Sequence, residues 1–139
     1  MKIELKFLHI VYFFIVLILA TFVSNFFKHK EIELLKVYGL LTNGEVLKVS
    51  RGTNKNRHND IKFFYTVNRE KKWAYKTNIK TLSKYVENLL IGKIFPVIYS
   101  QENPNICRML ISKEDFAVFG LPYPDSLLKY SKIDFTKLK

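Results

Sequence analysis

The longest apolar stretch of the chain lies close to its N-terminus. Residues 7–27 read FLHIVYFFIVLILATFVSNFF and contain no Asp, Glu, Lys or Arg. As an α-helix this stretch would extend about 31 Å, close to the roughly 30 Å hydrocarbon core of a bilayer. Lys28 and Lys30 follow it, and lysines commonly flank a membrane helix where their side chains can reach the lipid headgroups. The pattern predicts a transmembrane helix over 7–27 behind a short tail, 1–6.

A cleaved signal peptide is the alternative interpretation of this stretch. The apolar run exceeds the usual length of about 7 to 15 residues, and no small-x-small cleavage site follows it, so we expect an uncleaved single-pass anchor. Lysines flank both ends in nearly equal number, but a short basic tail before a long apolar run is typical of a signal anchor. We therefore expect the rest of the chain on the extracytoplasmic, periplasmic side.

The next segment, 28–41, continues a helical pattern. Ile32 and Leu35 fall on one face, so the anchor helix is predicted to extend towards Gly39 as a juxtamembrane helix or linker. TNGEVLKVS then opens with a turn dipeptide, Asn43–Gly44, and predicts a first strand near Glu45–Ser50. Residues 51–60 contain no apolar side chain and indicate an exposed loop.

A β-hairpin is predicted over 61–78. Every second residue from Ile61 to Val67 is apolar, NREK (68–71) forms a polar tip, and Trp73 and Tyr75 resume the aromatic alternation. Interleaved lysines and aromatics are also found on surfaces that stack single-stranded nucleic acid. The period of two favours a core face with solvated lysines opposite.

The remaining elements alternate between helix and strand patterns. A helix is predicted over 81–92 with Gly92 as its C-terminal cap, followed by the strands IFPVIYS and ICRMLIS. Pro96 lacks an amide hydrogen, so the first strand is expected at a sheet edge or starting late, near Val97. The fold class is thus α+β: one transmembrane helix, then a small, mostly antiparallel β domain of about five strands with one short helix over 42–112. An irregular basic tail is expected over 113–139.

Composition adds a strong positive charge and little candidate chemistry. The 139 residues carry a formal net charge of +11 with a pI near 9.7. This balance suggests anionic lipid headgroups or another anionic partner, although a lysine-rich coding bias would produce it equally well. The candidate contacts are Lys28, Lys30, Arg51, Lys55, Arg57, Lys71 and Lys72.

Catalysis is not expected from this sequence. The chain has a lone cysteine, Cys107, inside an apolar strand, and its three histidines, His9, His29 and His58, lie far apart. A hydrolase would need a nucleophile beside a base or two juxtaposed carboxylates, and a metal site would need closer ligand spacing. Cys107 is interpreted as a small buried hydrophobe. We therefore predict no enzymatic activity, no metal and no cofactor.

Residues 42–111 resemble a family of small bacterial membrane proteins of unknown function. That family carries a hairpin of the type Y-x-V-x-G-x-x-Y and a later motif of the type G-x-x-V-x-V-x-Y-x-P-x-N-P. Tyr65, Val67 and Tyr75 correspond to the hairpin motif, and Gly44 belongs to a TNGEV-type turn before it. The positions that correspond to the later motif are Gly92, Val97, Tyr99, Asn103 and Pro104. Asn68 replaces the hairpin glycine and Gln101 the earlier proline. The resemblance implies a compact, mostly antiparallel β domain on a membrane anchor and supplies no catalytic residues.

These features favour a membrane-tethered protein that binds another protein through a sheet edge or the basic loop. An immunity protein against a membrane- or envelope-acting toxin is one alternative. Binding of anionic lipid or nucleic acid through the basic surface is a second. The bilayer and another protein are the expected partners, ahead of nucleic acid.

Overall fold

The computed structural model describes residues 2–50, 59–79 and 84–131. Its helices are α1 (Lys2–Tyr38), α2 (Lys84–Leu90), α3 (Lys113–Val118) and a 3₁₀ helix (Asp125–Tyr130). Its strands are β1 (Gly39–Ser50), β2 (Asn59–Val67), β3 (Glu70–Ile79), β4 (Ile94–Ser100) and β5 (Cys107–Met109). The predicted basic loop residues Arg51, Lys55 and Arg57 lie outside the described residues.

Helix α1 contains a segment, His9–Tyr38, that is long and apolar enough to cross a membrane by length and composition. The helix runs without interruption to Tyr38, which confirms the predicted extension before Gly39. The chain divides into two compact units, 1–34 and 35–139. The second unit holds the sheet and the short helices, so the β domain begins before the predicted boundary at Thr42.

The second unit is built on a curled antiparallel sheet of five strands in the order β3-β2-β1-β4-β5. The predicted α+β class is confirmed. The sequence predicted one short helix in the β domain, and the described residues contain α3 and the 3₁₀ helix in addition to α2.

The central strand β1 is longer than the sequence predicted. It runs through Asn43 and Gly44 without a turn. A Cβ on Gly44 would lie 2.5 Å from Cγ2 of Val97 and 3.1 Å from the carbonyl oxygen of Phe64. The absence of a side chain at Gly44 therefore allows close packing inside the sheet, which is a common reason for glycine within a strand.

The β2–β3 hairpin has a two-residue turn where a four-residue tip was predicted. Asn68 and Arg69 have φ values of 51° and 70°, as in a type I′ turn, and Val67 pairs directly with Glu70. This register places Trp73 opposite Phe64. The prediction for β2 is confirmed, since Ile61, Phe63, Tyr65 and Val67 are all buried. The prediction for β3 is wrong, because Trp73 and Tyr75 point to the opposite, exposed face of the sheet.

Pro96 lies within an interior strand, contrary to the expected edge position or late start. Its carbonyl oxygen accepts a hydrogen bond from the amide of Leu110 at 2.8 Å. The proline nitrogen faces the same side as that carbonyl, at the point where β5 has ended after Met109. No ladder hydrogen bond is therefore lost at this position.

The C-terminal segment is part of the core, and the prediction of an irregular tail from Lys113 is wrong as far as Ser131. Phe116, Leu127 and Tyr130 are buried with the inner-face residues of the sheet. The Tyr130 ring meets the Phe95 ring edge-to-face with centroids 4.9 Å apart. The apolar positions in this segment are separated by prolines and polar residues, which hides their common face in the sequence.

A nearly buried ion pair joins the edge strand β3 to α3. Lys76 Nζ lies 2.6 Å from Asp115 Oδ1 and donates a second hydrogen bond to the carbonyl oxygen of Met109 on β5, at 3.0 Å. The two side chains are only 15% and 18% exposed. Because Met109 belongs to the opposite edge strand, Lys76 bridges the two edges of the curled sheet.

Asp115 is held in place by several further hydrogen bonds. Its Oδ2 accepts from the amides of Ile111 and Ser112, and the Ser112 hydroxyl accepts from the Asp115 amide in a capping box. Burial alone would raise the pKa of Asp115, but the Lys76 charge and the backbone hydrogen bonds outweigh it and leave the pKa below its usual value. Burial lowers the pKa of Lys76, and the Asp115 carboxylate opposes that shift.

Replacing Lys76 by Met should destabilise the domain by roughly 3 kcal/mol, because the Asp115 carboxylate would remain buried without its cation. The measurement is urea unfolding of the full chain in nanodiscs, followed by circular dichroism. Lys72→Met is the matched control on the same strand. Lys72 is 3.9 Å from Glu70, which is 77% exposed, so that change should cost less than about 1 kcal/mol. Equal losses in the two variants would contradict this account.

Stability should fall as the pH is lowered through the depressed pKa of Asp115. A carboxyl whose pKa is lower in the folded state contributes stability above its unfolded pKa of about 3.9, and loses it as the folded state becomes protonated. Unfolding curves between pH 7 and pH 2 should therefore show an acid-dependent loss that is smaller in Asp115→Asn. An identical acid slope in both proteins would show that Asp115 does not contribute to it.

Candidate functional site

The outer face of the sheet carries three exposed or half-exposed rings among lysines. Cross-strand pairing sets the positions: Lys48, Lys62 and Tyr75 form one row across β1, β2 and β3. Glu45, Phe64 and Trp73 form the next row, and Thr66 with Lys71 the third. We call this surface the aromatic–lysine patch and define it by its rings and cations: Phe64, Trp73, Tyr75, Lys48, Lys62 and Lys71.

The patch is organised by ring and cation contacts. Phe64 and Trp73 meet edge-to-face with centroids 5.7 Å apart. Lys62 Nζ lies 5.4 Å from the Trp73 ring centroid and 5.8 Å from that of Tyr75. Lys71 Nζ lies 4.2 Å from the Phe64 centroid. These are cation–π distances, so each of the two ammonium groups lies against at least one ring.

The rings of the patch are not part of the hydrophobic core. Trp73 is 56% exposed and Tyr75 is 59% exposed, whereas Phe63 and Tyr65 on the inner face are 1% exposed. Single exposed apolar side chains are common, but adjacent exposed Trp and Tyr side chains are enriched where proteins bind partners. The hydrogen-bonded ladder below them fixes their spacing, so the face needs little ordering to bind.

Charges on this face are mixed. Lys48 and Lys62 are direct cross-strand neighbours of the same sign, a pairing that costs stability. Glu45 lies in the aromatic row, and Asp60, opposite Ser50, lies one row beyond Lys62. The surface therefore alternates cationic positions with isolated carboxylates.

The predicted basic contacts are only partly brought together. Lys71 belongs to the patch, but its neighbour Lys72 points to the other face of the sheet and pairs with Glu70. Lys28 and Lys30 belong to α1 in the first compact unit, and Lys30 is exposed. The strand period of two separates Lys71 from Lys72, which the sequence had grouped.

Most residues of the family-type motifs lie in the core or in turns, where they support the fold. Val67 and Val97 are buried, and Gly92 has φ of 71°, the left-handed conformation expected after α2. The Asn103 side chain accepts from the Asn105 amide in an Asx turn. Tyr75 departs from the group, because it lies in the patch on the outer face.

Tyr65 connects two of these motifs. Its hydroxyl donates to the carbonyl oxygen of Pro104, and its ring lies 6.3 Å from that of Tyr99. Burial raises the pKa of Tyr65, and it also raises that of the neighbouring Cys107 thiol despite their hydrogen bond. Cys107 is therefore a protonated thiol at neutral pH, which is unsuited to nucleophilic attack.

Within the described ranges, His, Cys, Asp and Glu form no group of three that could hold a metal ion. No protein-family model, curated protein or solved structure matches the chain. The resemblance to small bacterial membrane proteins stays a prediction.

Sequence reasoning missed Lys48, Lys62 and Phe64 as site residues and assigned Trp73 to the wrong face. The Asn68–Arg69 dipeptide is the sequence feature that could have identified these residues. Read as a two-residue turn, it pairs Phe64 with Trp73, and the outward position of Phe64 then makes Trp73 outward as well.

Replacing Trp73 by Ala should lower the free energy of unfolding by about 1 kcal/mol or less, because the ring is exposed and contributes mainly cross-strand contacts. Phe63→Ala, which empties a core position on the adjacent strand, should cost roughly 3–5 kcal/mol. Denaturation followed by circular dichroism compares the two. A loss in Trp73→Ala as large as that in Phe63→Ala would show that the patch is structural.

Proposed function

We propose that this chain is a non-enzymatic, single-pass membrane-anchored protein whose β domain binds another protein at the membrane surface. The aromatic–lysine patch is the proposed binding face. α1 supplies the proposed anchor, with its segment that is long and apolar enough to span a bilayer.

The observation that carries this proposal is the exposure of Trp73 and Tyr75 side by side on the outer face of the hairpin. Trp and Tyr side chains bury a large area at low entropic cost and dominate the binding energy of many interfaces. Neither ring belongs to the buried core, whose aromatic side chains in this hairpin are Phe63 and Tyr65 on the inner face of β2.

The edge of β3 offers a second candidate contact, because an extended segment of a partner can pair with an edge strand through backbone hydrogen bonds. β3 is an edge strand, and within the described part of the chain it pairs only with β2. A segment added alongside the first part of β3, before Lys76 contacts Met109 and Asp115, would gain backbone hydrogen bonds and lie next to the rings of the patch. Lysines on β3 protect such an edge from indiscriminate pairing, which leaves selection to a complementary partner.

Photocrosslinking in the membranes of the cell that makes the protein tests this proposal. A p-benzoylphenylalanine side chain in place of Tyr75 should give a discrete protein adduct, because this position lies inside the proposed interface. The matched control places the same side chain at Leu128, which is 51% exposed on the 3₁₀ helix.

The adduct at position 75 should disappear when Trp73 is also replaced by Ala, and it should be absent from the control. Lipid adducts alone, no adduct, or equal adducts at both positions would contradict protein binding through the patch.

A further inference from the structure

We propose that the partner presents to the patch an extended segment with two acidic side chains four residues apart and an apolar or aromatic side chain midway between them. This inference rests on the proposed function and specifies the chemistry of the partner at that same face.

The spacing follows from the strand geometry. Lys62 and Thr66 are four residues apart on β2, a separation of roughly 13 Å, and Lys71 lies directly across from Thr66. The Cα atoms of Phe64 and Trp73 lie midway, roughly 7 Å from the Cα atoms of each cationic row. An extended segment aligned with β2 places residues i, i+2 and i+4 on one side at the same intervals.

The chemistry of each row defines the complementary side chain. Lys48 and Lys62 concentrate positive charge at one end, where a carboxylate would relieve their mutual repulsion. Lys71 belongs to the third row, and its ammonium group lies 4.2 Å from the Phe64 ring centroid, on the side of the middle row that is opposite Lys62 in sequence along β2. The exposed Trp73 ring between them favours an apolar or aromatic contact.

The carboxylates of the face favour a protein over a bilayer or a nucleic acid. Glu45 lies in the middle row and Asp60 beyond the first cationic row. A uniform surface of phosphates would bring anions against both Glu45 and Asp60, whereas a polypeptide segment with two carboxylates can place them at the lysine rows alone. A polypeptide segment can match mixed signs along its length and leave Glu45 facing solvent or a cation.

Trp73 provides a direct readout, because it is the single tryptophan of the chain and lies in the patch. The full chain is placed in phosphatidylcholine nanodiscs and titrated with the peptide Ser-Glu-Ser-Phe-Ser-Glu-Ser while Trp73 fluorescence is recorded. A peptide of the same composition, Ser-Glu-Glu-Phe-Ser-Ser-Ser, disrupts the spacing and keeps the charge. We expect the spaced peptide to bind about tenfold more tightly.

Charge reversal identifies the cations involved. Lys62→Glu and Lys71→Glu should each weaken binding of the spaced peptide about tenfold. The control is Lys129→Glu, an equal charge change at an exposed position on the 3₁₀ helix. Circular dichroism checks that each variant is folded, and Lys71→Gln, which should weaken binding less than Lys71→Glu, provides a milder change.

Two further titrations test the other occupants. Vesicles containing phosphatidylglycerol and a single-stranded oligothymidylate should change Trp73 fluorescence less than the spaced peptide does. Tighter binding of either probe, equal binding of the two peptides, no peptide binding, or equal effects of all three charge reversals would overturn the inference. A protein adduct at position 75 together with such a result would leave protein binding intact and remove only its acidic character.

Discussion

The register of the β2–β3 hairpin is the constraint on which the rest of the domain depends. The two-residue turn at Asn68 and Arg69 pairs Val67 with Glu70, and the residues of β3 as far as Lys76 take their faces from that register. Lys76 is thereby directed inward and Trp73 outward. A shift of one residue would exchange these faces, exposing the lysine and burying the ring. The ion pair and the patch are thus two results of one turn.

An inward lysine requires a partner, and the C-terminal segment provides it. Asp115 lies at the start of α3, where amides of Ile111 and Ser112 hold its carboxylate in position. The cation also reaches the carbonyl oxygen of Met109 on the opposite edge of the sheet. The cost of removing both charges from water offsets much of their mutual attraction, so a buried pair of this kind adds little net stability. Here it fixes how the segment after β5 covers the inner face.

The proposed function depends on the same rigidity. Backbone hydrogen bonds hold the strands and fix the spacing of the backbone positions that carry the rings and lysines, so binding would require little ordering of the main chain. A membrane anchor would add to this by confining partner and domain to one surface, which raises their effective concentration. Together these features allow a small face, with two exposed rings and three lysines, to act as a selective contact.

The sequence by itself determined the apolar helix, the α+β class, the inward alternation of β2 and the left-handed Gly92, because each depends on local period or backbone preference. Tertiary structure decided the rest. Pro96 is accommodated inside the sheet because β5 ends beside it, and Phe116, Leu127 and Tyr130 reveal a common face only when the chain folds over the sheet. The face of Trp73 depends on pairing between strands. Alternation within one strand gives two equivalent faces, and only the partner strand and the covering segment distinguish them.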